Sequence, residues 1–228
     1  MMHAKAFLLP PFFDYSATFL WAISGAVLGA RRGYAILGII TIALVSSTGG
    51  GLLRDGLFIQ DGPPVLVRTQ VYLWLIAAAV LIVVLFGRWV ERMPGFLKGI
   101  VLIDALGLGA YAVVGMDRAL AAGISLPGVV VVGMVNAVGG GILRDVLMNE
   151  EPDMFKPGTL DQASALAGCL LFLALIEPLE FSQFRAAWIT IAAVFGLRLL
   201  AIRYRIESRP LGDFRAYWGG AASGKDEG

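Results

Sequence analysis

The chain has 228 residues, 58% of them hydrophobic and 15% charged, with a mean hydropathy of +0.78 and a net charge of +1. A soluble domain carries about 25% charged residues, so this composition excludes an ordinary water-facing globule. The balance of 18 basic against 17 acidic residues excludes nucleic-acid binding driven by bulk charge. One cysteine, Cys169, and one histidine, His3, exclude an intrachain disulfide and leave no cysteine or histidine cluster to hold a metal.

A bilayer core about 30 Å thick takes about 20 residues of helix, and the charges divide this chain into segments of that order. The first apolar stretch, Ala6 to Phe13, is broken by Pro10 and Pro11 and lacks a small-residue cleavage site. It reads as an extracytoplasmic lead-in, not a signal peptide. Spans are predicted next at residues 15–30, 33–53, 69–87, 99–116, 119–143, 162–176 and 186–202. The second, third and fifth run without charge for 21, 19 and 25 positions, whereas the fourth and seventh each hold one ionisable residue, Asp104 and Arg198. Trp74, Trp89, Trp188 and Tyr204 fall near span ends, where interfacial anchors belong. With seven spans, one side of the membrane holds 12 Lys and Arg residues and the other holds 4. This bias puts the C-terminus in the cytoplasm and the N-terminus outside a multi-pass inner (plasma) membrane protein.

An internal repeat dominates the pattern. Gly49-Gly50-Gly51-Leu52-Leu53-Arg54-Asp55-Gly56-Leu57 recurs 90 residues later as Gly139-Gly140-Gly141-Ile142-Leu143-Arg144-Asp145-Val146-Leu147, and 14 of the 56 positions from 14 to 69 are identical at that offset. Each unit holds three spans, and an odd number inverts the second copy in the membrane. The expected fold is all-α, a 3+3 inverted repeat plus a seventh helix. Its parts are a first repeat with its lead-in (1–97), a second repeat (98–180), the seventh helix (181–203) and a basic cytoplasmic tail (204–228).

Inversion places Gly49 to Gly51 and Arg54 in the outer half of span 2, and Gly139 to Gly141 and Arg144 in the inner half of span 5. Three consecutive glycines cost a helix roughly 1 kcal/mol each relative to alanine, so a kink or break is expected at each triplet. Such irregular backbone is tolerated at membrane depth where it lines a watery cavity. The competing role is close helix packing, the role expected of Gly25, Gly29 and Gly33 in span 1. Adjacent Arg54 and Asp55 do not face each other on a helix. The expected pairs are therefore Asp14 with Arg54 and Asp104 with Arg144, one at each mouth of a path between spans 2 and 5, with solvated helix ends as the alternative. Ser46, Ser47 and Thr48 before the first triplet, and Asn136 before the second, offer oxygens to a partly dehydrated cation or hydrogen bonds within the bundle. Arg198 is expected to snorkel. Residues 56–68 and 148–161 read as loops rich in Gly, Pro and acids, and residues 204–228 as a tail touching anionic lipid.

Two copies of Gly-Gly-Gly-x-x-Arg-Asp within a three-plus-three-plus-one chain resemble the prokaryotic TRIC family, the trimeric intracellular cation channels, whose bacterial relatives include proteins described as glycine transporters. The resemblance covers residues 14 to about 203. It implies a homotrimer with one hourglass pore per protomer for potassium and other monovalent cations, flanked by kinked helices 2 and 5, with no cofactor. Gly49, Gly50, Gly51, Arg54, Asp55, Gly139, Gly140, Gly141, Arg144 and Asp145 match the motif. The lysine-bearing lipid-recognition motif of animal members has no counterpart here, so inositol-lipid binding and calcium control are not carried over. The reading is a channel, not an enzyme, since no nucleophile–base or metal-ligand constellation occurs. Its rivals are a secondary transporter of a small solute such as glycine, whose two charges an arginine and an aspartate would take, and a purely structural bundle.

Overall fold

A computed structural model describes residues 10–90, 96–152, 155–156, 160–204 and 206. The expected lead-in before Pro10, the tail beyond Ile206 and the side chains of Arg88, Trp89, Arg92 and Lys98 lie outside the described residues. The described chain is helical throughout, without a strand. Its helices are α1 (Pro11–Arg31), α2 (Ile36–Leu53), α3 (Val65–Arg68), α4 (Val71–Val90), α5 (Phe96–Ala121), α6 (Leu126–Leu147), α7 (Asp161–Ile176) and α8 (Gln183–Tyr204). Ile36–Ile59, Leu126–Leu147 and Gln183–Tyr204 are long and apolar enough to cross a bilayer; Val71–Gly87 and Gln162–Ile176 are shorter apolar helices.

Helix boundaries follow backbone chemistry more closely than charge. Pro11 opens α1, where a missing N–H is harmless, so Pro10 and Pro11 start a span that was expected at residue 15. The chain turns at Gly33 (φ +73°) and again, 90 residues on, at Gly123 (φ +72°), a region that favours glycine. Hence α5 runs straight through Asp117 and Arg118, and the fifth span begins at Leu126 instead of residue 119.

Helices α1, α2 and α4 pack together, as do α5, α6 and α7; α2 against α6 and α1 against α5 join the two sets, and α8 leans on α5 and α7. Small residues make these approaches close, as expected in lipid. A Cβ on Gly25 would stand 2.5 Å from Ser46 Oγ, and one on Gly115 would stand 2.6 Å from the Asn136 Cβ. Positions 25 and 115, like 46 and 136, are 90 apart, so the two helix pairs share one packing scheme. A Cβ on Gly29 would stand 3.3 Å from the Ile39 Cα.

The glycine triplets do not break their helices. The helices run on through Gly49–Gly51 and through Gly139–Gly141, so the break that low helix propensity allows does not occur there. The glycines serve instead to let α2 and α6 touch backbone to backbone. A Cβ on Gly50 would strike the Asn136 carbonyl, and one on Gly140 would strike the Ser46 carbonyl. A Cβ on Gly49 would stand 3.1 Å from the Gly140 Cα, and one on Gly139 would stand 3.2 Å from the Gly50 Cα. Irregularity comes one turn later, where α2 widens into a π-helical segment, Arg54–Ile59, closed by Gln60 in the left-handed region (φ 52°).

Gly50→Ala and Gly140→Ala should each destabilise the fold by about 1–3 kcal/mol through overpacking. Gly56→Ala, with open space around it, should be neutral or stabilising by up to about 1 kcal/mol. Thermal unfolding of the detergent-solubilised protein checks this; an unchanged midpoint for both crossing variants contradicts it.

Candidate functional site

Beyond the crossing, each half of the chain builds a charged pocket, and the third glycine of each triplet lines it. Asp14, Thr18, Ser47, Thr48, Gly51, Arg54, Asp55, Tyr72 and Tyr111 surround a space of about 20 Å³ at one end. Trp21, Asp104, Leu108, Ala137, Gly141, Arg144, Asp145 and Arg198 surround about 90 Å³ at the other. The first holds about one water and the second several. Each opens toward a larger vestibule. Asp55, Asp61, Arg68 and Arg118 border one of about 370 Å³, and Arg31, Arg32, Asp104, Arg144, Asp145 and Glu150 border one of about 400 Å³.

The arginines do not pair as the sequence led us to expect. Arg54 Nε donates to Asp55 Oδ1 at 2.7 Å, and Arg144 Nε donates to Asp145 Oδ1 at 2.8 Å. Adjacent positions diverge by about 100° on a helix, but an arginine stem is long enough to fold back, and Nε is the guanidinium donor nearest the backbone. Asp14 shares Arg54's pocket, yet it takes its hydrogen bond from the Tyr72 hydroxyl at 2.6 Å. Asp104 shares Arg144's pocket and accepts from Ser24 Oγ at 3.0 Å. The expected residues thus meet as two clusters, with each aspartate of span 1 or span 4 beside the Arg–Asp pair and not bridging to it.

Asp55 does a second job. Its Oδ2 accepts from the Val65 amide at 3.0 Å, tying the start of α3 over the Arg54 pocket. An exposed Arg32–Glu150 ion pair spans the opposite vestibule; such a pair is worth about 0–1 kcal/mol.

Ser47 Oγ donates to the Ala43 carbonyl at 2.8 Å and Thr48 Oγ1 to the Leu44 carbonyl at 2.7 Å. With their protons committed to the preceding turn, these hydroxyls present lone pairs to the pocket, the chemistry a cation requires. Ser46 does not join them. Its Oγ is buried without a hydrogen-bond partner, held in the α1–α2 seam near Gly25.

Asn136, placed with the second triplet by sequence, serves the first pocket. Its Nδ2 donates to the Tyr111 carbonyl at 2.7 Å, and its Oδ1 accepts from Arg54 NH1 at 3.3 Å. The equivalent position, Ser46, has no amide to offer Arg144. Accordingly, the Arg54 side chain is 3% exposed and that of Arg144 14%.

Three site residues escaped the sequence reading. Trp21 and Tyr111 meet edge to face, 5.1 Å between centroids and 62° between planes, and they form the wall between the pockets. Tyr111, from the second half, lines the first pocket and donates to the Ser47 carbonyl. Trp21, from the first half, lines the second and lies over the bare backbone of Gly107, and a Cβ on Gly140 would stand 3.2 Å from its ring. The two positions are 90 residues apart and both aromatic, a signal the repeat alignment contained. Tyr72 carried no such signal. Arg198 does not snorkel out: it is 8% exposed and lines the second pocket.

Asp55→Ala should cost about 3–5 kcal/mol, because it strips the counter-charge from a buried arginine. Asp145→Ala should cost less, since Arg144 borders the larger, wetter cavity. Unfolding midpoints in detergent check the order, and equal shifts contradict it.

Comparison with known proteins places this architecture. The family model described as Glycine transporter matches twice, at residues 11–88 and 101–177, at the spacing of the repeat. A UPF0126 membrane protein of Deinococcus radiodurans is 36% identical over 68% of this chain and 71% of its own. The UPF0126 inner membrane protein YadS of Escherichia coli is 26% identical over 85% and 92%. Among solved structures, one of the TRIC cation channels, solved to explain their conductance, superposes with a TM-score of 0.79 at 27% identity, covering 90% of this chain and 98% of that one. The trimeric intracellular cation channel orthologue from Rhodobacter sphaeroides does so with a TM-score of 0.77 at 26% identity, covering 85% and 96%. On this sequence match and this shared fold, the chain is a membrane protein and belongs to the TRIC-type family, whose sequence model bears the description glycine transporter.

Proposed function

We propose that this protein is a passive monovalent-cation channel for potassium, a homotrimer with one path per protomer along α2 and α6. The observation that carries the reading is the pair of charged, water-sized pockets set back to back across the α2–α6 crossing. The likeness to TRIC cation channels over most of the chain supports it.

The path requires an inverted duplication, and the crossing supplies support for one. Gly50 meets Asn136 while Gly140 meets Ser46, and Gly139 meets Leu53 while Gly49 meets Leu143. Each of these four contacts recurs at positions 90 residues on, as a two-fold axis through the crossing would require. Taking the seven helices of 16 or more residues as spans puts Arg54 and Arg144 at opposite faces. The Lys and Arg bias then sets the Arg144 vestibule and the C-terminus in the cytoplasm.

In mechanism, a hydrated cation enters a vestibule and exchanges part of its shell for aspartate and hydroxyl oxygens in the pocket. The aspartates are essential there, because each arginine alone would repel it. It then meets the Trp21–Tyr111 wall. On this reading the path is closed at the two rings, and opening requires them to part. Modest selectivity is expected from a path without stacked carbonyl rings.

A second reading is a carrier for a small zwitterion such as glycine. A sealed crossing with an arginine and an aspartate on either side favours it, as does the family description. Planar-bilayer recording separates the two. Discrete unitary potassium currents are expected; saturable glycine flux without them establishes the carrier, and neither result leaves only a structural bundle. Trp21→Ala is expected to raise open probability about two- to tenfold, since an aromatic pair is worth about 0.5–1.5 kcal/mol beyond burial. A lower or unchanged open probability contradicts the wall.

A further inference from the structure

We infer that Arg198, supplied by the helix outside the repeat, makes conduction asymmetric, so that cations flow more readily from the Arg54 end to the Arg144 end than in reverse. The inference rests on the channel reading and on charge counting within the two pockets. The Arg54 pocket is lined by Asp14, Asp55 and Arg54, a sum of −1. The Arg144 pocket is lined by Asp104, Asp145, Arg144 and Arg198, a sum of zero. Protonating Asp104 makes the second sum +1, so the sign of the difference survives.

The vestibules do not cancel it. Beyond residues already counted, one adds Asp61, Arg68 and Arg118 and the other adds Arg31, Arg32 and Glu150, +1 in each case. Asp117, buried next to Arg118 on α5, lines neither pocket nor vestibule and stands outside both sums. Within the two pockets, the charged residue with no counterpart 90 residues away is therefore Arg198. Helix α8 has no counterpart against the first half: it packs on α5 and α7, which sets Arg198 beside Asp104. Duplication alone would give two equally negative pockets, and this one arginine neutralises one of them.

The physical consequence follows from local concentration. A net negative mouth gathers cations and raises their rate of entry, whereas a neutral mouth does not. One unit charge about 10 Å from an ion in a water-filled mouth changes that rate by about twofold at low salt. Screening removes the effect at high salt, since the Debye length falls from about 30 Å at 0.01 M to about 3 Å at 1 M.

The test is single-channel recording in symmetric KCl, reading the ratio of conductances at equal and opposite voltages. The wild-type ratio is expected to be about two at 10 mM and about one at 1 M. Arg198→Gln should bring the 10 mM ratio to about one, and Arg198→Lys should keep it near the wild-type value. Asp14→Asn, which neutralises the other pocket while preserving an acceptor for Tyr72, should also bring it to about one. Combining Asp14→Asn with Arg198→Gln should restore a ratio of about two with reversed polarity in oriented membranes. A wild-type ratio of one at 10 mM, or an unchanged ratio in both Arg198→Gln and Asp14→Asn, overturns the inference while leaving the channel intact. Absence of unitary current from the wild type removes the channel reading itself, and this inference with it.

Discussion

The two halves of the chain meet at a place where side chains are missing. At Gly49, Gly50, Gly139 and Gly140 the backbones of α2 and α6 touch, and a single methyl at Gly50 or Gly140 would collide with a carbonyl of the opposite helix. In lipid the hydrophobic effect gives helices little reason to associate, so van der Waals contact between such bare surfaces has to hold them. The remaining features follow from that approach. It brings Trp21 and Tyr111 face to edge, seats Asn136 within reach of Arg54, and turns Gly51 and Gly141 outward into separate pockets. Each glycine triplet thus divides its labour, with two residues sealing the crossing and one lining a cavity.

The two ends are alike in plan and unlike in detail. Both have an Arg–Asp pair on one helix end, an aspartate from the preceding helix and a vestibule of similar size. Asn136 at one position and Ser46 at its equivalent decide which arginine is tethered to the crossing. Arg54 is held by Asp55 and Asn136 in about 20 Å³ of space, while Arg144 faces about 90 Å³ with Asp145. The two pockets have in this way become unequal through a few substitutions and one added helix.

Much of this was legible in the sequence. Charge spacing anticipated an all-helical chain and the offset of 90 named both motifs, whereas Gly33, expected to pack within span 1, sits in a turn at φ +73°. What sequence misjudged was the use of glycine. Low helix propensity argued for a break, yet the surrounding helices reward close approach enough to keep α2 and α6 continuous through their triplets. The π-helical segment after Leu53 had no residue to announce it. Pairing failed for a related reason, because helical-wheel geometry treats side chains as short rods, and an arginine can double back onto its neighbour. Tyr72 and Arg198 depend on how α4 and α8 pack against the repeats, which no local pattern encodes. Trp21 and Tyr111 were available, as aromatic residues at equivalent positions, but apolar surroundings made them look like ordinary core.

The central claim is that two aqueous pockets approach from opposite faces and stop at one seal. Cysteines at Gly51 and Gly141 probe it best, since both positions line pockets and neither is crowded, the nearest neighbours lying 3.7 and 4.0 Å from a Cβ. With the buried Cys169 replaced to clear the background, a membrane-impermeant thiol reagent is applied to one face at a time. The account predicts that Gly51→Cys reacts from one face only and Gly141→Cys from the other only. Labelling of both from the same face, or of neither from any face, contradicts it.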